Sequence, residues 1–383
     1  MNDRSIYLDY AATTPLDEGV FKVMKPYFSH SFYNPSAIYR AAIAVKTDLM
    51  RARQEIAQIL GVHFQEIIFC AGGSEANNLA IKGYLKNYDR SHVVVSHLEH
   101  DSVLEALKDF DYSLAKVKTD GIIDFDSLKN LINDQTNLVV VMLANNEIGT
   151  IQPVKKIADL VKQIRLDRLK RGINQPIQIF CDACQAGNYL DLKVNRLGVD
   201  MMSLNGSKIY GPKQSAILYL RRGLSLKPLI DGGGQEYGLR SGTENVASSI
   251  GLAEALNKTQ NIKKTEVERL QKLQKYFIEK IVTLIPEISF NGSVKYRLPN
   301  NLNFSFRGQD NERLLFFLDR HQIMASAGSA CSASNHKSSH VLAAIGLDDS
   351  MIYSSLRLTM GRQTVQADLD RTISALVNYK KQL

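Results

Sequence analysis

The sequence predicts an α/β protein: a large domain on a mainly parallel sheet flanked by helices, followed by a smaller α+β domain. Three observations predict it. Short, continuous apolar runs alternate with segments of helical periodicity through the first part of the chain, the pattern of strands buried on both faces and joined by crossover helices. A long helical pattern over 245–284 then leads out of that region. The chain has 383 residues, 44% hydrophobic and 22% charged, which is enough for two cores in an ordinary globular protein.

The elements follow in order. Apolar positions at helical spacing over 37–59 end at Gly61. Strands are expected at 67–70, 92–96, 138–144, 177–182, 201–204 and 216–220, with helices between them at 75–86, 101–109 and 153–171. Thr259, Gln260 and Asn261 are expected to break the long helix. The remainder, 285–383, reads as shorter α and β elements closing in a helix near 366–380, and the first dozen residues are expected to pack with it. The domains are therefore set at 15–258 for the large one, and at 1–14 with 259–383 for the small one.

Composition narrows the function. No apolar run is long enough to span a bilayer and no signal peptide opens the chain, so no membrane partner is expected. Four cysteines, Cys70, Cys181, Cys184 and Cys331, are too few for a secreted disulfide framework and suit the reducing cytoplasm. The net charge is +8, but Lys and Arg are spread along the chain with only short clusters. Direct nucleic acid binding is not expected from that pattern, while contact with an acidic partner stays open.

Five segments carry candidate chemistry, four of them following or lying in strand-like runs. In an open parallel sheet, ligands collect at the carboxyl ends of the strands. The first is Phe69-Cys70-Ala71-Gly72-Gly73-Ser74-Glu75: a strand, a glycine pair and a helix start, which can bind phosphate or be capped simply by Ser74. The second is Cys181-Asp182-Ala183-Cys184-Gln185. Asp182 at the end of an apolar strand needs a partner, and a pyridinium nitrogen would serve. The same stretch spells C-x-x-C, a weak zinc or redox signal without a second pair, so no metal is expected. Cys181 reads as a small core residue, and Cys184 stays undecided. The third is Asn205-Gly206-Ser207-Lys208-Ile209-Tyr210-Gly211-Pro212, where Lys208 after a buried strand is either a surface residue or a Schiff-base lysine. The fourth is the small-residue stretch around Cys331, where a thiol outside a core is a candidate nucleophile. The fifth is Arg357 in an apolar run, which must meet an anion: a substrate carboxylate held by its fork, or a buried Asp or Glu.

Taken together these segments resemble the cysteine desulfurases of the NifS/IscS type, within the aspartate-aminotransferase-like fold. The likeness runs from YLDYAATTP at 7–15 through NNEIGT at 145–150, KIYGP at 208–212 and RSGTEN at 240–245 to GSACSAS at 328–334 and LRLTMGR at 356–362. The resemblance implies a seven-stranded sheet and the cofactor pyridoxal 5'-phosphate. It implies that Lys208 holds the cofactor, that Asp182 pairs with the pyridine nitrogen and that Gln185 contacts the ring hydroxyl with Asn146 beside it. His100 would stack on the ring and shuttle protons, or else be simply a helix-start residue. Gly73, Ser74, Asn205 and Ser207 would lie around the phosphate, and Thr243 would reach the phosphate of a neighbouring subunit, which implies a homodimer. Arg357, with Asn146 and Asn34, would hold the substrate.

Three departures from the family pattern bear on cofactor affinity. Ser207 stands where a histidine is usual, Tyr237 where an Arg is usual after the glycine run, and Tyr39 where a His is usual after N-P-S. The short stretch after the last helix is expected to leave out the tail by which some relatives dock a scaffold protein. The activity implied is conversion of L-cysteine to L-alanine, with the sulfur held as a persulfide on Cys331 and passed to an acceptor protein in iron–sulfur cluster assembly or tRNA and cofactor thiolation. The competing readings are an aminotransferase, a selenocysteine lyase, and a weakened homologue that binds partners without turnover.

Overall fold

The computed structural model describes residues 5–328 and 338–381. Its strands, in chain order, are β1 (Ile6–Tyr7), β2 (Ile67–Cys70), β3 (His92–Ser96), β4 (Asp111–Ala115), β5 (Thr136–Val140) and β6 (Gln178–Asp182). They continue with β7 (Met201–Asn205), β8 (Ala216–Leu220), β9 (Ile288–Phe290), β10 (Asn301–Phe306), β11 (Ile323–Met324) and β12 (Ser355–Thr359). Seven of them form the large sheet in the order β2-β8-β7-β6-β5-β3-β4. All pairs are parallel except those of β8, which runs antiparallel to both β7 and β2. The α/β architecture with a mainly parallel seven-stranded sheet is the one the sequence predicts.

The apolar content of these strands explains their place. Every residue of β2, β3, β5, β6 and β8 is buried, because helices cover both faces of the sheet. One face packs Val94, Val139, Ile179 and Met202 into a core with the helix Arg40–Leu60. The other packs Val93, Val95, Phe180 and Met201 with the helix Gly73–Leu85. Strand β4 escaped the sequence reading: four of its five residues are not fully buried, since it is the sheet's edge, and an edge strand shows no continuous apolar run.

The long helix runs unbroken from Val246 to Leu284, correcting the expected break at 259–261. Its polar triplet is used for packing. Thr259 is buried and donates to the Ile209 carbonyl, and Gln260 donates to the Gly187 carbonyl. Beyond it β12, β10 and β9 form an antiparallel sheet, with a separate core that includes Phe277, Phe304, Leu358 and Leu376. The N-terminal segment joins this region: β1 pairs in parallel with β11, and Asp9 bridges to Thr359. No helix among the described residues is long and apolar enough to cross a membrane.

Candidate active site

The carboxyl ends of the parallel strands gather most of the candidate residues. Asp182 ends β6 and is 7% exposed. Its Oδ1 accepts the Cys184 amide at 2.9 Å, and its Oδ2 accepts from Asn77 Nδ2 at 2.8 Å. A buried carboxylate so held stays oriented at modest cost. Asn77, on the buried face of the helix Gly73–Leu85, also accepts from Ser203 Oγ at 2.6 Å and donates to Ser102 Oγ at 2.9 Å. Ser102 in turn contacts His100. That imidazole caps the short helix Asp101–Leu104 by accepting the Ser102 amide at Nδ1, 3.0 Å away. The helix-start role of His100 is therefore real, and it places the ring in the same network as Asp182.

The amine comes from β7. The strand ends at Asn205, and the turn Gly206–Lys208 carries Lys208, whose Nζ donates to the Ala12 carbonyl. Gln185 donates to the neighbouring Ala11 carbonyl at 2.9 Å. Thr14 reinforces the crossing: its amide and hydroxyl both donate to the Ser207 carbonyl, and its hydroxyl accepts the Tyr210 amide at 2.7 Å. The opposite end of this stretch reaches Arg357 on β12. The Asp9 carboxylate accepts from Arg357 Nη2 at 2.7 Å, while Nη1 donates to the Asn146 carbonyl at 3.1 Å. Of the anions open to Arg357 on sequence grounds, the structure supplies the Asp9 carboxylate, and Arg357 Nε is buried without a partner. The stretch 9–12 therefore brings the amine of Lys208 and the guanidinium of Arg357 to one place.

The glycine-rich start of the helix Gly73–Leu85 forms one wall. Its cap is Gly72, with no side-chain hydrogen bond, which corrects the reading of Ser74 as a cap. Ser74 is exposed in the first turn. A Cβ placed on Gly73 would lie 3.1 Å from both Asn205 Nδ2 and Cys184 Sγ, so the missing side chain keeps the cradle open there. Ser207 Oγ donates to Asn205 Oδ1 at 3.3 Å. Cys184 sits near Ser203 Oγ, and burial followed by the Asp182 charge pushes its thiol well up. It is a neutral thiol in the floor of the site. Cys181 is fully buried in the core. Cys331 lies outside the described residues, but the stem before it is fixed: Ser326 pairs with Arg357 through both backbone groups, and Ala327 accepts from Ser355 Oγ.

Two candidates stand apart. Asn34 is exposed and its side chain accepts the Ser36 amide in a local turn. Thr243 is exposed on the loop before the long helix. The other departures have local roles. Tyr237, at φ 60° and ψ 28°, lays its ring 5.2 Å from the Arg53 guanidinium. Tyr39 precedes the helix Arg40–Leu60 without capping it. Asn77, Ser102 and Asp9 were not singled out by the sequence reading. The one signal for Asn77 was a polar residue on an otherwise apolar helix face.

The Aminotransferase class-V family model matches residues 6–372, and the chain belongs to that family. Cysteine desulfurase IscS of Dictyoglomus turgidum is 39% identical over 380 residues, which is 97% of this chain and 94% of the relative. Cysteine desulfurase IscS of Methanosarcina thermophila is 38% identical over 392 residues, 100% of this chain and 93% of the relative. A solved NifS-like protein has a TM-score of 0.91 at 28% identity, covering 99% of this chain and 100% of its own. The structure of SspA in complex with cysteine gives a TM-score of 0.81 at 34% identity, covering 94% and 100%. Within the class-V family, the chain falls on the NifS/IscS cysteine desulfurase branch.

The cofactor of this family is pyridoxal 5'-phosphate, and the residues fit it. A buried Asp182 suits a ring nitrogen, a lysine amine stands at the next strand end, and a helix start without a side-chain cap suits a phosphate.

Proposed function

We propose that the chain is a pyridoxal-phosphate cysteine desulfurase that takes sulfur from L-cysteine, holds it on Cys331 and releases L-alanine. The observation that carries the reading is the convergence on residues 9–12. Lys208 Nζ is anchored on Ala12 and Arg357 on Asp9, so a group for the amino end and a group for the carboxylate end of an amino acid meet on one short segment. The names of the IscS relatives supply the substrate.

Each residue has a task in this reading. Lys208 would hold the cofactor, and its amine would take the proton from the substrate Cα. Asp182 would keep the ring nitrogen protonated, Asn77 and the Cys184 amide fixing its carboxylate. Gln185 and Asn146 would face the ring hydroxyl, and Gly73, Ser74, Asn205 and Ser207 the phosphate. Arg357 would orient the substrate carboxylate, and Asn34, which stands apart in its own turn, is a further substrate contact implied only by the family resemblance. When bound, pyridoxal phosphate acts as an electron sink for carbanion chemistry. The Cys331 thiol would give up its proton and its sulfur would bond to the substrate sulfur; the pair of the broken Cβ–S bond would stay on Cβ, which takes up a proton, and alanine would depart with the outer sulfur left on Cys331.

The large unit is taken as 15–258 and the small one as 1–14 with 259–383. The active form is taken as a homodimer in which Thr243 reaches the neighbouring subunit's phosphate. Support comes from an apolar surface on the first helices and the loop after them, where Phe28, Phe32 and Ile38 are 64%, 65% and 93% exposed. The protein is placed in the cytoplasm, in keeping with three buried free thiols among the described cysteines. The acceptor is taken as a protein of iron–sulfur assembly or tRNA thiolation.

The test is the visible spectrum of the purified protein with pyridoxal phosphate, before and after L-cysteine, alongside an assay of alanine. The parent is expected to turn yellow and release alanine, and Lys208→Ala to lose both the parent spectrum and turnover. A protein that binds no cofactor would overturn the reading.

A further inference from the structure

We propose that Asn77 and Ser102 are positioning residues that fix the tautomer of the His100 imidazole, with its proton on Nε2, and tie it to Asp182. The inference rests on the desulfurase reading for its consequence, and on hydrogen-bond directions for its substance.

The directions are fixed from the backbone outward. A peptide N–H can only donate, and the Ser102 amide points at His100 Nδ1 from 3.0 Å. Nδ1 must therefore offer a lone pair, and in a neutral imidazole the proton then sits on Nε2. Ser102 Oγ closes the same nitrogen from 2.9 Å. That hydroxyl receives an N–H from Asn77 Nδ2 at 2.9 Å, so its own proton is free to go to Nδ1. The second N–H of Asn77 goes to Asp182 Oδ2 at 2.8 Å, and Asn77 Oδ1 accepts from Ser203 Oγ at 2.6 Å. Turning the amide over would set its oxygen against the Asp182 carboxylate. Asn77 is 1% exposed and Ser203 fully buried, so water does not substitute for these partners.

A proton added to Nδ1 would face two donors, and Nε2 already carries one. In this tautomer His100 offers an N–H rather than a lone pair at Nε2, and removal of the Cα proton falls to Lys208. Asp182 connects to His100 through Asn77 and then Ser102, and the Glu99 side chain is turned to the Met142 amide.

The experiment is nitrogen NMR of the histidine-labelled protein, with and without pyridoxal phosphate, the His100 signals being assigned with His100→Gln. The expected result for the neutral ring is a bare Nδ1 and a protonated Nε2. Ser102→Ala removes the hydroxyl donor to Nδ1, so the neutral ring should populate both tautomers in place of one. Turnover should fall about tenfold in kcat, with KM for cysteine within about twofold, and Ser102→Thr should restore the single tautomer and the turnover. A protonated Nδ1 in the neutral ring of the parent would overturn the proposal, as would unchanged His100 nitrogen signals in Ser102→Ala. A protein that shows the expected nitrogen signals but never turns yellow with pyridoxal phosphate would instead sink the cofactor assignment and leave the tautomer standing.

Discussion

Arg357 and Asp9 stand 348 positions apart in the chain, yet their side chains meet at 2.7 Å, with Arg357 1% exposed. The contact ties the antiparallel sheet to the N-terminal stretch, which continues to Lys208. It also gives Arg357 an internal carboxylate in the place where a substrate carboxylate is expected to act. Asp9 braces the guanidinium, and in the role proposed for Arg357 it would also compete with the substrate's charge.

Those two effects separate by substitution. Asp9→Asn keeps an acceptor for Nη2 and removes the negative charge, so KM for cysteine should fall about threefold to tenfold. Asp9→Ala removes the brace as well, leaving the buried cation without its partner, and KM should rise while the melting temperature drops. Steady-state kinetics with both variants, checked by L-alanine titration of the visible spectrum, would read this. Equal KM values in parent and Asp9→Asn would contradict it.

Glu99 predicts how stability depends on pH. It is fully buried; Oε1 accepts the Met142 amide at 2.6 Å and Oε2 has no partner. Burial, followed by the Asp182 charge, pushes its carboxyl well above the ordinary glutamate range. Below that range the group is protonated in both folded and unfolded chains and its contribution is fully present. As the pH rises above it, the unfolded chain ionises first, and stability falls by about 1.4 kcal/mol for each pH unit until the folded carboxyl ionises too. Glu99→Gln should remove that slope and be the more stable form at neutral pH. Urea midpoints of the cofactor-free proteins across the pH range would show it, and parallel curves would refute it.

Arg53 and Glu236 form a buried bidentate pair, at 2.6 and 2.7 Å, and Glu236 also accepts the Phe69 amide at 2.8 Å. Glu236 and Tyr237 both take positive φ, at 47° and 60°, an uncommon backbone that this pair holds in place. Glu236→Ala leaves Arg53 buried without its counter-charge and should cost about 3–5 kcal/mol in denaturant unfolding. Tyr237→Ala removes only a ring stacked on the same cation and should cost about 1 kcal/mol.

Much of this was legible in the sequence, for physical reasons that differ by element. Strands β2, β3 and β8 were read end to end because burial on both faces writes a continuous apolar run. Strand β4 was not, because Tyr112 and Leu114 are 37% and 38% exposed at the edge. The long helix was read but broken wrongly at Thr259, where polar side chains are spent on Ile209 and Gly187 rather than on a turn. Lys208 and Asp182 were legible because a charged residue directly after a buried strand demands a partner. Asn77, Ser102 and Asp9 were not, since the partners that tie them to the site lie 25, 105, 126 and 348 positions away, and the local pattern offers only a polar Asn77 on an apolar helix face.

The most direct test of the account is the mass of the Cys331 peptide after one turnover with L-cysteine, taken without reductant. One added sulfur atom is expected on that peptide, lost on treatment with a thiol and absent from Lys208→Ala. Alanine released at the parent rate by Cys331→Ala, with no sulfur on the parent peptide, would contradict it.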